Sequence, residues 1–146
     1  MLSKSSTYAI RAVLYIALHA DEPKKFNPKS IAEALDIPAP FLAKTLQILS
    51  KRGLISSVKG RGGGFYLTKE NKKNSLLSVI DSIDGLRKFQ DCMLGLPVCG
   101  DENPCPVHHV VFPLRRQLIA QLTQKSINDL TEEVRKGDTH IFLNDF

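Results

Sequence analysis

The apolar positions of this chain fall into blocks with helical spacing, separated by short polar or glycine-rich breaks. From Ser3 to Ala20, the residues Ala9, Ile10, Ala12, Val13, Leu14, Ile16, Ala17 and Leu18 leave a narrow polar stripe of Arg11, Tyr15 and His19. A helix this apolar must be buried on two sides, within its own chain or against a second subunit. Asp21-Glu22-Pro23 is expected to end it. Asn27-Pro28 then supplies an N-cap and a proline at the first helical position, and Ile31, Ala32 and Leu35 form the buried face of a short second helix. After the turn Asp36-Ile37-Pro38, a third helix is predicted over about Ala39 to Arg52, with Gly53 at its C-cap. Leu42, Thr45, Leu46 and Leu49 point inward there, and Ala43, Lys44, Gln47 and Lys51 face away.

Two β-prone runs follow, Leu54-Ile55-Ser56-Ser57-Val58 and Phe65-Tyr66-Leu67-Thr68. Between them Lys59-Gly60-Arg61-Gly62-Gly63-Gly64 reads as a basic hairpin tip. Helix, turn, helix and hairpin, in that order and size, make a winged helix-turn-helix. Further on, Ser75 caps a helix whose apolar face is Leu76, Val79, Ile80 and Ile83, and Gly85 ends it. Arg87 to Pro106 shows no period. A longer helix over about Val107 to Gln124 carries the stripe Val107, Val111, Leu114, Leu118 and Leu122, and Pro113 is expected to kink or restart it. Ser126 with Asp129 resembles a capping box for a last helix to about Lys136, and Gly137 to Phe146 receives no assignment. The predicted fold is mainly α with a small β-hairpin.

Length and composition narrow the class. The 146 residues, 42% hydrophobic and 24% charged, suit one ordinary domain or two very small ones, and exclude a disordered tail or a fibre. The longest apolar stretch, Ala12 to Leu18, is too short to span a bilayer. Met1-Leu2-Ser3-Lys4 runs straight into the helical pattern with no signal sequence, so a cytoplasmic location is expected.

Charge changes the picture more. The formal net charge of +5 hides a split: residues 1–75 carry +8 and residues 76–146 carry −3. A basic half suggests a polyanionic partner, although a lysine-rich solvated surface gives the same numbers. The order of motifs favours double-stranded DNA. In a helix-turn-helix the second helix enters the major groove, which here presents Pro40, Ala43, Lys44 and Gln47. Gln47 suits adenine, Lys44 suits guanine or a phosphate, and Ala43 offers apolar contact. Lys51, Arg52 and Lys59 are placed for phosphates, as are Ser5, Thr7, Tyr8 and Arg11 from the first helix. Arg61 at the hairpin tip suits a narrow minor groove, and the glycines around it are expected to let backbone approach the duplex.

Cys92, Cys99 and Cys105 lie within 14 residues, and no other cysteine exists. An odd count argues against a disulfide framework. With His108 the spacing is C-x6-C-x5-C-x2-H, four ligands from one irregular loop that glycine and proline can turn. Soft thiolates with an imidazole suit a structural zinc ion or an iron–sulfur cluster, and metal-free redox thiols are the third option. His109 is a neighbouring candidate ligand. A nucleophilic enzyme using Cys92 or Cys105 beside His108 lacks an orienting third group and an oxyanion motif in the sequence, so no enzymatic activity is expected.

These residues carry a resemblance. Tyr8-Ala9, Ile31-Ala32-Glu33, Phe41-Leu42 with Leu46, and above all Gly53-Leu54-Ile55-Ser56-Ser57-Val58-Lys59-Gly60-Arg61-Gly62-Gly63-Gly64-Phe65 resemble the Rrf-two family of bacterial winged-helix regulators. The resemblance covers nearly the whole chain. It implies a homodimer whose long helix, Val107 to Gln124, crosses its mate, and hence a palindromic operator. It implies a winged helix-turn-helix DNA-binding domain over residues 1–75, with the sensor loop and dimerisation helices over 76–146. IscR-like members carry three cysteines and a histidine in this loop and bind a 2Fe–2S cluster. The resemblance thus implies a transcription regulator whose operator affinity follows an iron–sulfur cluster on Cys92, Cys99, Cys105 and His108, sensing redox, nitric oxide or iron–sulfur status. Zinc, bare thiols or a protein partner, as in CymR-like members, is the alternative. Two departures stand out: the first cysteine gap is one residue longer than in IscR-like members, and Ala43 stands where those carry an operator-discriminating glutamate.

Overall fold

In a computed structural model of the chain, residues 2–19 and 24–141 are described. The elements run α1 (Lys4–His19), α2 (Pro28–Leu35), α3 (Ala39–Lys51), β1 (Ser56–Val58), β2 (Gly64–Tyr66), α4 (Lys69–Lys72), α5 (Leu76–Asp84), α6 (Arg87–Gln90), α7 (His108–Gln124) and α8 (Ile127–Arg135). The expected end of α1 at Asp21-Glu22-Pro23, and the tail beyond Ile141, lie outside the described residues.

Helix α1 is the axis of the core. Ala9, Ala12, Val13, Ile16 and Ala17 are fully buried in it. One side meets α2 and α3, and the other meets α5 and α8. The two-sided burial that its composition requires is therefore met inside one chain. The expected caps are in place. Asn27 Oδ1 accepts the Ser30 amide at 2.8 Å at the start of α2, and Asp36 adopts a left-handed conformation after it. In α3 the buried residues are Leu42, Thr45, Leu46 and Leu49, as the periodicity predicts. Thr45 is tolerated there because its hydroxyl donates to the Phe41 carbonyl at 2.9 Å.

The hairpin is antiparallel, with Ser57 opposite Phe65. Phe65 also bridges Phe26, which joins the wing to the segment before α2. The second strand stops at Tyr66, short of the expected Thr68. That residue instead caps α4 through a capping box with Asn71. Asn71 is buried and also receives the Ser56 hydroxyl at 2.8 Å, while its amide donates to Gly53 O at 3.0 Å. One asparagine thus ties the end of α3, the first strand and α4 together.

Two expectations in the second half are revised. Helix α7 runs through Pro113 without ending, so the proline does not restart it. The segment after Gly85 also contains a single helical turn, α6, which buries Phe89. Its four residues are too few to show a period. The remaining caps match expectation: Ser75 accepts the Ser78 amide at 3.1 Å, and Ser126 and Asp129 form a capping box. Ser75 and Ser126 bridge each other, which returns the end of α7 to the start of α5.

One contact joins the start of the chain to the end of α5. The Asp84 carboxylate accepts the Ser3 amide at 3.0 Å and the Ser3 hydroxyl, and its side chain is only 6% exposed. Burial pushes its pKa up, but the Ser3 hydrogen bonds and the nearby Lys88 outweigh this and hold it below the ordinary 3.8. A depressed carboxylate contributes stability above its unfolded pKa and loses it as pH falls through the folded value. Asp84→Asn is therefore expected to cost about 1–2 kcal/mol at pH 7, with the difference from the parent shrinking below about pH 4. Urea melts at both pH values check this.

Candidate metal centre and nucleic-acid interface

Between α6 and α7 the chain turns irregularly and brings three distant cysteines together. The Sγ atoms of Cys92, Cys99 and Cys105 all lie within 4.8 Å of one another. Local geometry explains how. Gly95 takes a positive φ and donates to Cys92 O at 3.0 Å, and Gly100 and Asn103 exchange backbone hydrogen bonds at 3.3 and 3.1 Å. Each pair closes a tight turn. Cys105 then sits at the entry to α7, buried, with its carbonyl accepting the His108 amide at 3.0 Å. Arg115 reaches back from α7 and donates to Asp91 O, pinning the residue before Cys92. A cavity of about 160 Å³ lies beside the thiols, bounded also by His108, Phe112 and Arg115.

His108 touches the thiols through Cys99, its Nδ1 lying 3.3 Å from that sulfur. The ring is 8% exposed and stacks on Phe112, with centroids 4.9 Å apart. Its Nε2 lies 3.1 Å from Asp101 Oδ1. The sequence reading missed Asp101, the orienting group it found lacking beside His108. The available signal was an acidic residue inside the Gly100–Asn103 turn between two candidate ligands. His109, by contrast, is exposed and meets the His108 ring edge-on.

The thiols differ electrostatically. Backbone hydrogen bonds from Leu96 and Leu94, together with the Cys99 and Cys105 thiols, overcome burial and bring Cys92 down to about 7. Cys99 accepts a backbone hydrogen bond from Cys105, but burial and its two sulfur neighbours push it up. Three converging thiols of which one ionises readily are a donor set for a thiophilic metal or cluster.

The basic half presents a second surface. Pro40, Lys44, Gln47, Lys51 and Arg52 are exposed on or just after α3, and Ala43 is half-buried. Lys59 and Arg61 are exposed on the wing. Ser50 and Ser57 share a hydrogen bond at 3.0 Å across the groove between α3 and the wing, which holds the two at a set separation. The α1 residues have structural partners. Tyr8 packs edge-on against Phe41 at 5.9 Å, and Arg11 Nη2 donates to Leu35 O, the last carbonyl of α2, at 2.6 Å. Ser5 is half-buried and lines a groove with Lys44. Wing glycine serves the hairpin itself. A Cβ on Gly63 would meet Val58 O at 2.1 Å, so close packing within the turn excludes any side chain there.

The surroundings of the thiol loop are apolar and open. Met93, Leu94, Leu96 and Val98 on the loop, and Val110 and Leu114 on α7, are exposed large hydrophobics. Of the described residues of α7, only His108 is buried. No helix among the described residues is long and apolar enough to cross a membrane.

Comparison with known proteins agrees with this architecture. The sequence matches the Rrf2 family, described as "Iron-dependent Transcriptional regulator", over residues 2–133. It is 37% identical over 144 residues to a chain of Aquifex aeolicus named as an HTH-type transcriptional regulator, covering 97% of this chain and 96% of that one. It is 30% identical over 129 residues to the HTH-type transcriptional regulator IscR of Photorhabdus laumondii, covering 88% and 77%. Among solved structures, IscR of T. potens superposes with a TM-score of 0.72 at 21% identity, over 96% of this chain and 92% of that one. CymR of B. subtilis, titled the global cysteine regulator, gives 0.71 at 21% identity, over 90% and 96%. These structural likenesses support the winged-helix fold. The family match over nearly the whole chain, together with the helix–turn–helix–wing order, places the protein in the Rrf2 family of DNA-binding transcription regulators.

Proposed function

We propose that the protein acts in the cytoplasm as a homodimer that binds a palindromic double-stranded operator, with an affinity set by an iron–sulfur cluster. The observation that carries this reading is the convergence of Cys92, Cys99 and Cys105 within 4.8 Å. These three residues would hold the cluster, of the 2Fe–2S type, with His108 as the fourth ligand. When bound, such a group supplies a redox centre that oxidants and nitric oxide can alter.

The chain's own residues give the loop a route to the reading head. Arg115 ties the loop to α7, Gly85 and Leu86 link α5 to α6 at the loop's start, and the Asp84–Ser3 contact ties α5 to the start of α1. Tyr8 then packs on Phe41 in the first turn of α3. A change of loop order biases this connected set between two arrangements, and it shifts operator affinity only as far as those arrangements differ in their fit to DNA. The exposed stripe of α7, with Val110 at 67% and Leu114 at 63%, supports a second copy as its cover. Winged-helix domain 1–75 and sensor-plus-dimer region 76–146 are the functional halves in this reading. Ser5, Tyr8, Arg11, Pro40, Ala43, Lys44, Gln47, Lys51, Arg52, Lys59 and Arg61 form the DNA-facing set. Within it, Tyr8 and Arg11 act mainly by positioning α3 and α2.

Anaerobic purification followed by absorption spectroscopy and iron, sulfide and zinc analysis tests the cofactor. Visible charge-transfer bands with matched iron and sulfide are expected. A colourless protein carrying stoichiometric zinc would move the reading to a zinc-dependent regulator of the same fold.

A further inference from the structure

The Asp101 carboxylate has no role in the sequence reading, yet it meets the one imidazole that adjoins the thiols. We propose that Asp101 is a positioning residue: it fixes His108 in the tautomer that carries its proton on Nε2, and so presents the Nδ1 lone pair to the three cysteines. This rests on the reading of the loop as a cluster site.

The geometry gives each ring nitrogen one partner, Asp101 Oδ1 at 3.1 Å from Nε2 and Cys99 Sγ at 3.3 Å from Nδ1. An ionised carboxylate only accepts hydrogen bonds, so the neutral ring must donate from Nε2 and leave Nδ1 bare. The other tautomer would spend Nδ1–H on the Cys99 sulfur and have no lone pair to offer a metal on that side. Burial and two contacts hold the residue and its ring in place. It is 8% exposed, it stacks on Phe112 at an interplanar angle of 16°, and its backbone amide is bonded to Cys105 O. Asp101 is held in its turn by the Gly100–Asn103 backbone pair. Carboxylate partners of this kind orient metal-bound histidines, and their loss typically costs ten- to a hundredfold in metal affinity. Asp101 itself is 80% exposed, so its replacement opens no core.

Two readouts on the full-length protein separate this inference from the reading beneath it. The first uses reduced, metal-free protein labelled with ¹⁵N-histidine, with the His108 tautomer read by NMR at about pH 8.5, where an ordinary imidazole is neutral. The parent and Asp101→Asn, which keeps an acceptor oxygen, are expected to show Nε2–H. Asp101→Ala is expected to shift His108 toward Nδ1–H with its circular dichroism unchanged. The second readout is the rate at which a chelator strips the anaerobically reconstituted cluster. Asp101→Ala is expected to lose it about ten- to a hundredfold faster, and Asp101→Asn to recover most of the difference. An unchanged tautomer in Asp101→Ala would overturn the proposal. If the tautomer shifts but no variant, nor the parent, takes up iron and sulfide, Asp101 still positions His108 and the cluster reading fails.

Discussion

Replacing Cys105 with serine is expected to abolish uptake of the proposed cluster and to leave operator binding indifferent to iron–sulfur supply. Cys105 is the buried member of the three thiols and stands at the entry to α7, where its carbonyl holds the His108 amide. A serine fits that space, so the helix start should survive. What it cannot supply is a soft anionic sulfur, and iron–sulfur clusters are held by thiolates. Bound iron should therefore fall to background, with loss of the visible bands, while urea stability moves by less than about 1 kcal/mol. The same substitution would leave an iron-free thiol switch built on Cys92 and Cys99 still able to respond to oxidants, so operator binding with and without oxidant separates the two mechanisms.

The second large effect is expected on the reading face, and it should differ in kind between neighbours. Gln47 projects from the exposed face of α3, where an amide can pair with the adenine edge. Gln47→Ala should cost about 1–3 kcal/mol in operator binding, relax the preference at one position of each half-site, and leave the salt dependence intact. Lys51 stands one helical turn further along, close to the wing. Lys51→Ala should weaken all sequences alike and lower the salt slope by about 1 per subunit. Binding titrations on a set of single-base operator variants at several salt concentrations distinguish the two patterns. Equal loss of sequence preference in both variants would contradict the docking of α3 in the major groove.

The winged helix-turn-helix was legible in the sequence because its rules are local. Helical spacing singled out Leu42, Thr45, Leu46 and Leu49, and the caps at Asn27, Ser75 and Ser126 announced their helices within four residues. The hairpin was clear from its glycine-rich tip, although the purpose of Gly63 was not. That purpose depends on the Val58 carbonyl across the turn, which no local pattern reveals. Four-residue helices such as α4 and α6 fell below the length at which a period shows, and Thr68 was read as strand because it is β-branched. In the candidate site, the cysteines were visible as a cluster in sequence and proved to be a cluster in space. Asp101 stood between two candidate ligands in the sequence, but its pairing with His108 depends on how the Gly100–Asn103 turn folds back over α7. The Asp84–Ser3 contact spans 81 residues and lay beyond any spacing argument. Pro113 shows the opposite case, where a strong local rule yields to context and α7 continues through it.

Coupling between the thiol loop and the proposed DNA-reading surface would run through these long-range contacts. The most direct test is operator affinity of the full-length protein, measured anaerobically at one fixed salt concentration, with and without the reconstituted cluster. Coupling of ordinary strength predicts a difference of about 5- to 150-fold between the two forms. Equal affinities, with iron and sulfide confirmed in the loaded sample, would contradict it.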